Sequence, residues 1–135
     1  MEVPAGGVVN DVVVHFSATH PWDEDLDIYL ISPQGTVVEL STDNGGFGDN
    51  YTNTEFDDDA ATSIVNGSAP FTGTYRPESP LSAVDGEAAG GTWTLKAIDD
   101  EYLLSGSITD FSIDLQTVDY VCHPIYTSYF PLVSR

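Results

Sequence analysis

Between residues 25 and 40 the chain alternates apolar and polar side chains, turns sharply, and alternates again. Leu26, Ile28 and Leu30 fall on one side of the run and Asp27, Tyr29 and Ile31 on the other. That is the two-residue period of a strand with one face in a core. Ser32-Pro33-Gln34-Gly35 supplies the turn, since proline presets φ and glycine accepts the positive φ that a tight turn needs. Thr36, Val37, Val38, Glu39 and Leu40 then resume as a second strand. A hairpin of this kind must lay its apolar face on another layer, so the rest of the chain has to supply one.

The supply is a series of further strands. Over residues 8–19, Val12, Val14, Phe16 and Ala18 share one face, with Val13, His15 and Ser17 on the other, and Pro21 ends the ladder. Residues 54–56 and 71–75 read as short strands, and residues 76–80 as a rigid extended connection. Residues 92–98 place Trp93, Leu95 and Ala97 together, with Trp93 expected in the core. The last strand, residues 107–117, breaks parity between Ile108 and the run Phe111, Ile113, Leu115. A one-residue slip of that kind predicts a β-bulge near Thr109-Asp110. No stretch carries an apolar stripe at helical spacing. The fold class is therefore all-β, an antiparallel β-sandwich of about eight strands. Residues 1–118 form the domain, and residues 119–135 a tail or linker.

Charge narrows the functions. Of 135 residues, 22 are Asp or Glu, and Arg76, Lys96 and Arg135 are the only basic ones besides histidine, for a net charge of −19. Nucleic acid and anionic membranes are excluded as partners, because the basic patch that would neutralise phosphate is missing. Self-repulsion at this charge favours bound divalent cations, and hard oxygen ligands are what the surface has in excess. Cys122 is the sole cysteine, so no internal disulfide forms. Met1-Glu2-Val3-Pro4 lacks the basic and apolar runs of a leader, as expected for a domain of a longer chain. No apolar run is long enough to span a bilayer. The domain is expected to be a monomer.

Calcium is the cofactor to expect, in a structural role. Asp23-x-Asp25-x-Asp27 has the alternate spacing of a calcium loop but fails the EF-hand pattern. Ile28 stands where the glycine belongs and Gln34 where the bidentate glutamate belongs. A sandwich-type site stays open, with carboxylates from several loops converging on an ion. The candidate ligands are Asp23 and Asp25 at the hairpin mouth, Asp43 and Asp49 in the polar, glycine-rich loop 41–53, Asp57 and Asp58 after a short strand, and Asp99 at a strand end. A subset is expected to bind. The competing reading is a solvated acidic face. The loop is long enough to suggest a function or a ligand that pins it.

No catalytic constellation is legible. A nucleophile–base–acid triad would need one of His15, His20 or His123 beside an activated serine, and no segment has that setting. With 22 acidic residues, a glycosidase-like carboxylate pair arises by chance. His15 alternates with core positions and reads as a strand-surface residue, and His20 as structural. Trp22, Tyr51, Tyr75 and Tyr102 lie in or beside loops. The three tyrosines could form a sugar-stacking platform, which keeps a carbohydrate- or matrix-binding module as the rival function.

Several pieces coincide in order: Asp25-Leu26 before Ser32-Pro33-x-Gly35-Thr36, then Phe71-x-Gly73-x-Tyr75-Arg76-Pro77, Leu81, Gly86, Gly91-Thr92-Trp93-Thr94-Leu95, Asp99, Gly106 and Phe111-Ser112-Ile113-x-Leu115. Over residues 8–117 the chain resembles the P domain, or Homo B domain, of kexin- and furin-like proprotein convertases, most of all its bacterial form. The resemblance implies a jelly-roll, galactose-binding-like sandwich with no catalytic role. It implies a protease domain on the same parent chain, of subtilisin/kexin-like serine type or a metalloprotease. The accessory domain would stabilise or position that protease and its protein or polysaccharide substrate in a secreted protein, and tune its calcium and pH dependence. In that family a histidine is common at the place of His20, and the carboxylate of the Asp-Leu pair, here Asp25, is often buried against loop amides. The tail has no counterpart.

Overall fold

A computed structural model describes residues 1–119; residues 120–135, on which the expected tail or linker falls, lie outside the described residues. Nine strands are present among the described residues: β1 (Glu2–Val3), β2 (Val8–Thr19), β3 (Leu26–Ile31), β4 (Val37–Thr42), β5 (Tyr51–Phe56), β6 (Phe71–Tyr75), β7 (Gly91–Thr92), β8 (Thr94–Asp99) and β9 (Ser107–Val118). They form a four-stranded sheet ordered β6-β5-β2-β9, a three-stranded sheet ordered β4-β3-β8, and a small β1-β7 pair. The all-β sandwich expected from the alternation is the fold observed. One pairing departs from the antiparallel expectation, because β5 and β6 run parallel. Residues 57–70 are a connection long enough to cross over and re-enter in the same direction.

The core sits between the two larger sheets. From β2 it takes Val12, Val14, Phe16 and Ala18, and from the hairpin Leu26, Ile28, Leu30, Val38 and Leu40. These are the even-numbered positions of the sequence pattern, so alternation alone set which face turns inward. Trp93 is fully buried and its indole N–H donates to the Ala89 carbonyl at 2.9 Å. Tyr51 lies between Phe16, edge-on with centroids 5.5 Å apart, and Phe71, stacked at 4.8 Å. Its hydroxyl and that of Ser41 are hydrogen-bonded at 2.9 Å within the core.

The Ser32–Gly35 turn closes with the Gly35 N–H donating to the Ser32 carbonyl at 2.9 Å, and Gly35 adopts φ +91°. Glu87 clamps this turn, accepting from the Ser32 and Thr36 hydroxyls. In β9, Asp110 pairs with Ser17 and Ile108 with Ala18, so Thr109 is the extra residue of the predicted bulge. β8 and β9 are each an outer strand of their sheet. At the end where they are connected, Ile98, Tyr102, Leu103 and Ile108 are exposed. No helix among the described residues is long and apolar enough to cross a membrane.

Candidate metal centre

The entrance to the hairpin is built from three chain segments. A 3-10 turn, Asp23–Asp25, leads into β3, and the Asp25 N–H donates to the Trp22 carbonyl at 3.1 Å. β3 is the middle strand of its sheet, with β4 on one side and β8 on the other. Asp27 pairs with Thr42 and with Ile98. The residues just past the ends of those neighbours, Asp43 and Asp100, are thereby carried to the mouth of β3.

Two groups of carboxylates result. Asp27, Asp43 and Asp100 each offer an oxygen such that all three lie within 4.8 Å of one another, and His20, Asp25 and Asp99 form a second group by the same measure. The second is braced. His20 is 1% exposed, its Nε2 donates to Asp99 Oδ2 at 3.0 Å, and its Nδ1 lies 2.7 Å from the Trp22 carbonyl oxygen. Asp99 Oδ1 accepts from the Glu101 N–H at 3.2 Å. Gly106 permits this brace, since a Cβ there would fall 2.1 Å from the Thr19 carbonyl oxygen and 2.8 Å from His20 Cδ2.

Buried polar atoms without a partner concentrate here. Among the described residues, Asp23 Oδ2, Asp25 Oδ2 and Asp27 Oδ1 are the buried side-chain oxygens or nitrogens that lack a hydrogen-bond partner. A buried oxygen left unpaired costs about 1–3 kcal/mol, and more if charged, so three in five residues call for a physical reason. Burial is the main reason that the Asp23 carboxyl is pushed up to about 6. Asp27 is also raised, by burial first and then by the carboxylates of Asp43 and Asp100, partly offset by the Asp43 N–H.

The seven candidates separate. Asp25 and Asp99 come together with His20, and Asp43 joins Asp27 and Asp100. Asp23 belongs to neither group. It is fully buried and holds the glycine-rich loop, its Oδ1 accepting from the Asn50 N–H at 2.9 Å and its own N–H donating to the Gly48 carbonyl at 2.8 Å. Asp49 is exposed in that loop and in neither group. Asp57 and Asp58 serve the backbone elsewhere. Asp57 Oδ1 accepts from the Asp59 N–H, and Asp58 accepts from the N–H groups of Leu81 and Ser82 at 2.8 and 2.9 Å, capping the 3-10 helix Leu81–Val84. His20, which the sequence reads as structural, and Asp27 and Asp100 are the members that sequence reasoning left out of the ligand set. Asp27 shares the alternate spacing of Asp23 and Asp25, and Asp100 is the neighbour of Asp99, so a weak signal existed for each.

The tyrosine platform does not form. Tyr51 is core, and Tyr75 is set edge-on to Phe71 at 5.8 Å. Tyr102 is exposed. The exposed aromatic pair is instead Trp22 with Phe47, centroids 5.0 Å apart. His15 is half-buried on the strand surface between Glu55, at 3.3 Å, and Asp114, at 2.8 Å.

Comparison with curated proteins and with solved structures finds no match to either. The family profile described as the proprotein convertase P-domain does match, over residues 9–115. That span runs from the second residue of β2 to Leu115 in β9 and so takes in the four-stranded sheet, the β3–β4 hairpin and the acidic mouth. Its match to most of the chain, spanning the sandwich from β2 into β9, makes this protein a member of the proprotein convertase P-domain family.

Proposed function

We propose that the chain is the non-catalytic accessory module of a secreted protease, of subtilisin/kexin-like or metalloprotease type, carried on one parent chain. It stabilises or positions the protease and its substrate. The observation that carries this reading is the P-domain match across the sandwich. The hydrogen bonds of His15 and His20 support it, since they go to carboxylates and to the backbone of Trp22 rather than to a hydroxyl nucleophile. The exposed Ile98, Tyr102, Leu103 and Ile108 offer an apolar surface for a domain contact.

The test is to produce this chain and the protease domain of its parent separately and mix them. A complex that raises the unfolding temperature of the protease supports the reading. No complex, together with a parent protease equally stable and active after deletion of the module, would refute it. The Trp22–Phe47 pair favours a second reading, glycan binding by stacking. Retention on polysaccharide that is lost in Trp22→Ala would support that instead.

A further inference from the structure

We propose that the cleft lined by Asp25, Asp43 and Asp100, together with the adjoining Asp27, binds one calcium-class divalent cation. The cleft measures about 320 Å³ and is also lined by Trp22, Glu24 and Glu101. Acidic clusters are common on a surface this charged, so proximity alone would mean little. Asp25 supplies the second observation. It is 4% exposed, its Oδ2 has no hydrogen-bond partner, and it lines the same cleft as Asp43 and Asp100. Asp27 Oδ1, also buried and unpartnered, belongs to the triad with those two residues. A carboxylate oxygen withdrawn from water and from every donor is stabilised by a cation.

Among the described residues no basic side chain does this work. The ion pairs among the described residues involve only His15 and His20, and the Arg76 guanidinium is engaged by the Ala60 and Ala61 carbonyls. The donor set selects the class of ion. All are hard carboxylate oxygens, with neither sulfur nor a free imidazole nitrogen, which disfavours zinc and copper. Oxygens on opposite sides of Ca²⁺, each about 2.3–2.6 Å from it, stand up to about 5 Å apart. The triad's oxygens, all within 4.8 Å of one another, fit inside that reach. Mg²⁺ instead demands a near-ideal octahedron and gives up its waters reluctantly, so a cleft of several carboxylates suits it less.

Trp22 lines the cleft and is a built-in antenna. Titration of the whole chain with Tb³⁺, exciting tryptophan, should give saturable luminescence at one ion per chain, displaced by Ca²⁺ and not by equal Mg²⁺. Calorimetry with Ca²⁺ should show the same single site. Asp43→Asn is the cleanest variant, because Asp43 has φ +54° and asparagine accepts that conformation. It should weaken Ca²⁺ at least tenfold, and so should Asp100→Asn, which alters an exposed residue. Asp49→Asn, outside the cleft, should leave affinity unchanged. At a hundredfold excess over Kd, Ca²⁺ should raise the unfolding temperature of the wild type by about 8 °C. Absence of saturable Ca²⁺ binding, an equal response to Mg²⁺, or equal affinity in Asp43→Asn and Asp100→Asn would each overturn the proposal.

Discussion

Replacing Asp23 by asparagine should make the protein more stable at neutral pH and leave it nearly unchanged in acid. Asp23 is fully buried, one oxygen accepts from Asn50, and the other has no partner. Its carboxyl is raised from the ordinary 3.8 to about 6, chiefly by burial. Between those pH values the folded chain holds a proton that the unfolded chain has released. Stability therefore falls as pH rises through that window and is greatest below it. At about 1.36 kcal/mol for each pH unit, the rise corresponds to about 3 kcal/mol lost by neutral pH. Asparagine keeps the carbonyl oxygen for Asn50 and carries no charge. Its amide group still lacks an acceptor, a cost of about 1 kcal/mol that is the same at every pH.

The diagnostic quantity is therefore the change in the variant's advantage with pH. Urea unfolding of both proteins in EDTA, at about pH 4 and about pH 7.5, should show that advantage growing by about 2.5 kcal/mol, or roughly 8 °C in unfolding temperature. Other carboxylates titrate in the same range, but they are common to both proteins and cancel in the difference. An advantage equal at the two pH values would refute the assignment of this proton to Asp23. So would a variant that loses stability, relative to wild type, on going to neutral pH.

Other substitutions probe the supports of the fold, each read by denaturant unfolding. Gly106→Ala should cost about 3 kcal/mol or more, because its Cβ would meet the Thr19 carbonyl at 2.1 Å and disturb the His20–Asp99 brace; near-wild-type stability would show that residues 104–107 can move away. Asp58→Ala should cost about 1–2 kcal/mol by releasing the N–H groups of Leu81 and Ser82, and Asp58→Asn somewhat less, since its one amide oxygen can keep only one of the two bonds. Tyr51→Phe should cost about 1 kcal/mol by removing the hydrogen bond with Ser41. Burial raises the Tyr51 hydroxyl, so its absorbance should titrate only when the chain unfolds in alkali.

What the sequence discloses is local. The parity of Val12, Val14, Phe16 and Ala18 fixes an inward face without knowledge of any partner, and the slip before Phe111 betrays the bulge at Thr109. Partner choice is not local, which is why the parallel β5–β6 pairing was hidden. Tyr51 resembled a loop aromatic because the polar residues before it mask the start of β5, and its core role depends on stacking against Phe71, far along the chain. The acidic mouth shows the same division. Asp25 and Asp43 were visible as candidates, but grouping Asp43 with Asp27 and Asp100 requires the order β4-β3-β8. Asp57 and Asp58 carry the same chemistry as the others, and only the backbone they meet shows that they cap and close turns.

The pairing of β2 with β9 has a consequence for how the protein is made. These strands are zipped along nearly their whole length, and the His15–Asp114 contact joins residues 99 apart in sequence. During synthesis β2, complete at Thr19, must wait for all the intervening strands before its long partner appears from Ser107 onward. The β3–β4 hairpin can close meanwhile, but Val12, Val14 and Phe16 have no complete layer to pack on. Such non-local closure makes folding slow, on the order of milliseconds to seconds, and leaves an apolar strand open to misassociation in the interval. A nascent chain cut before residue 107 would expose that strand permanently, so the final strand acts as the latch that commits the whole sandwich to its native state.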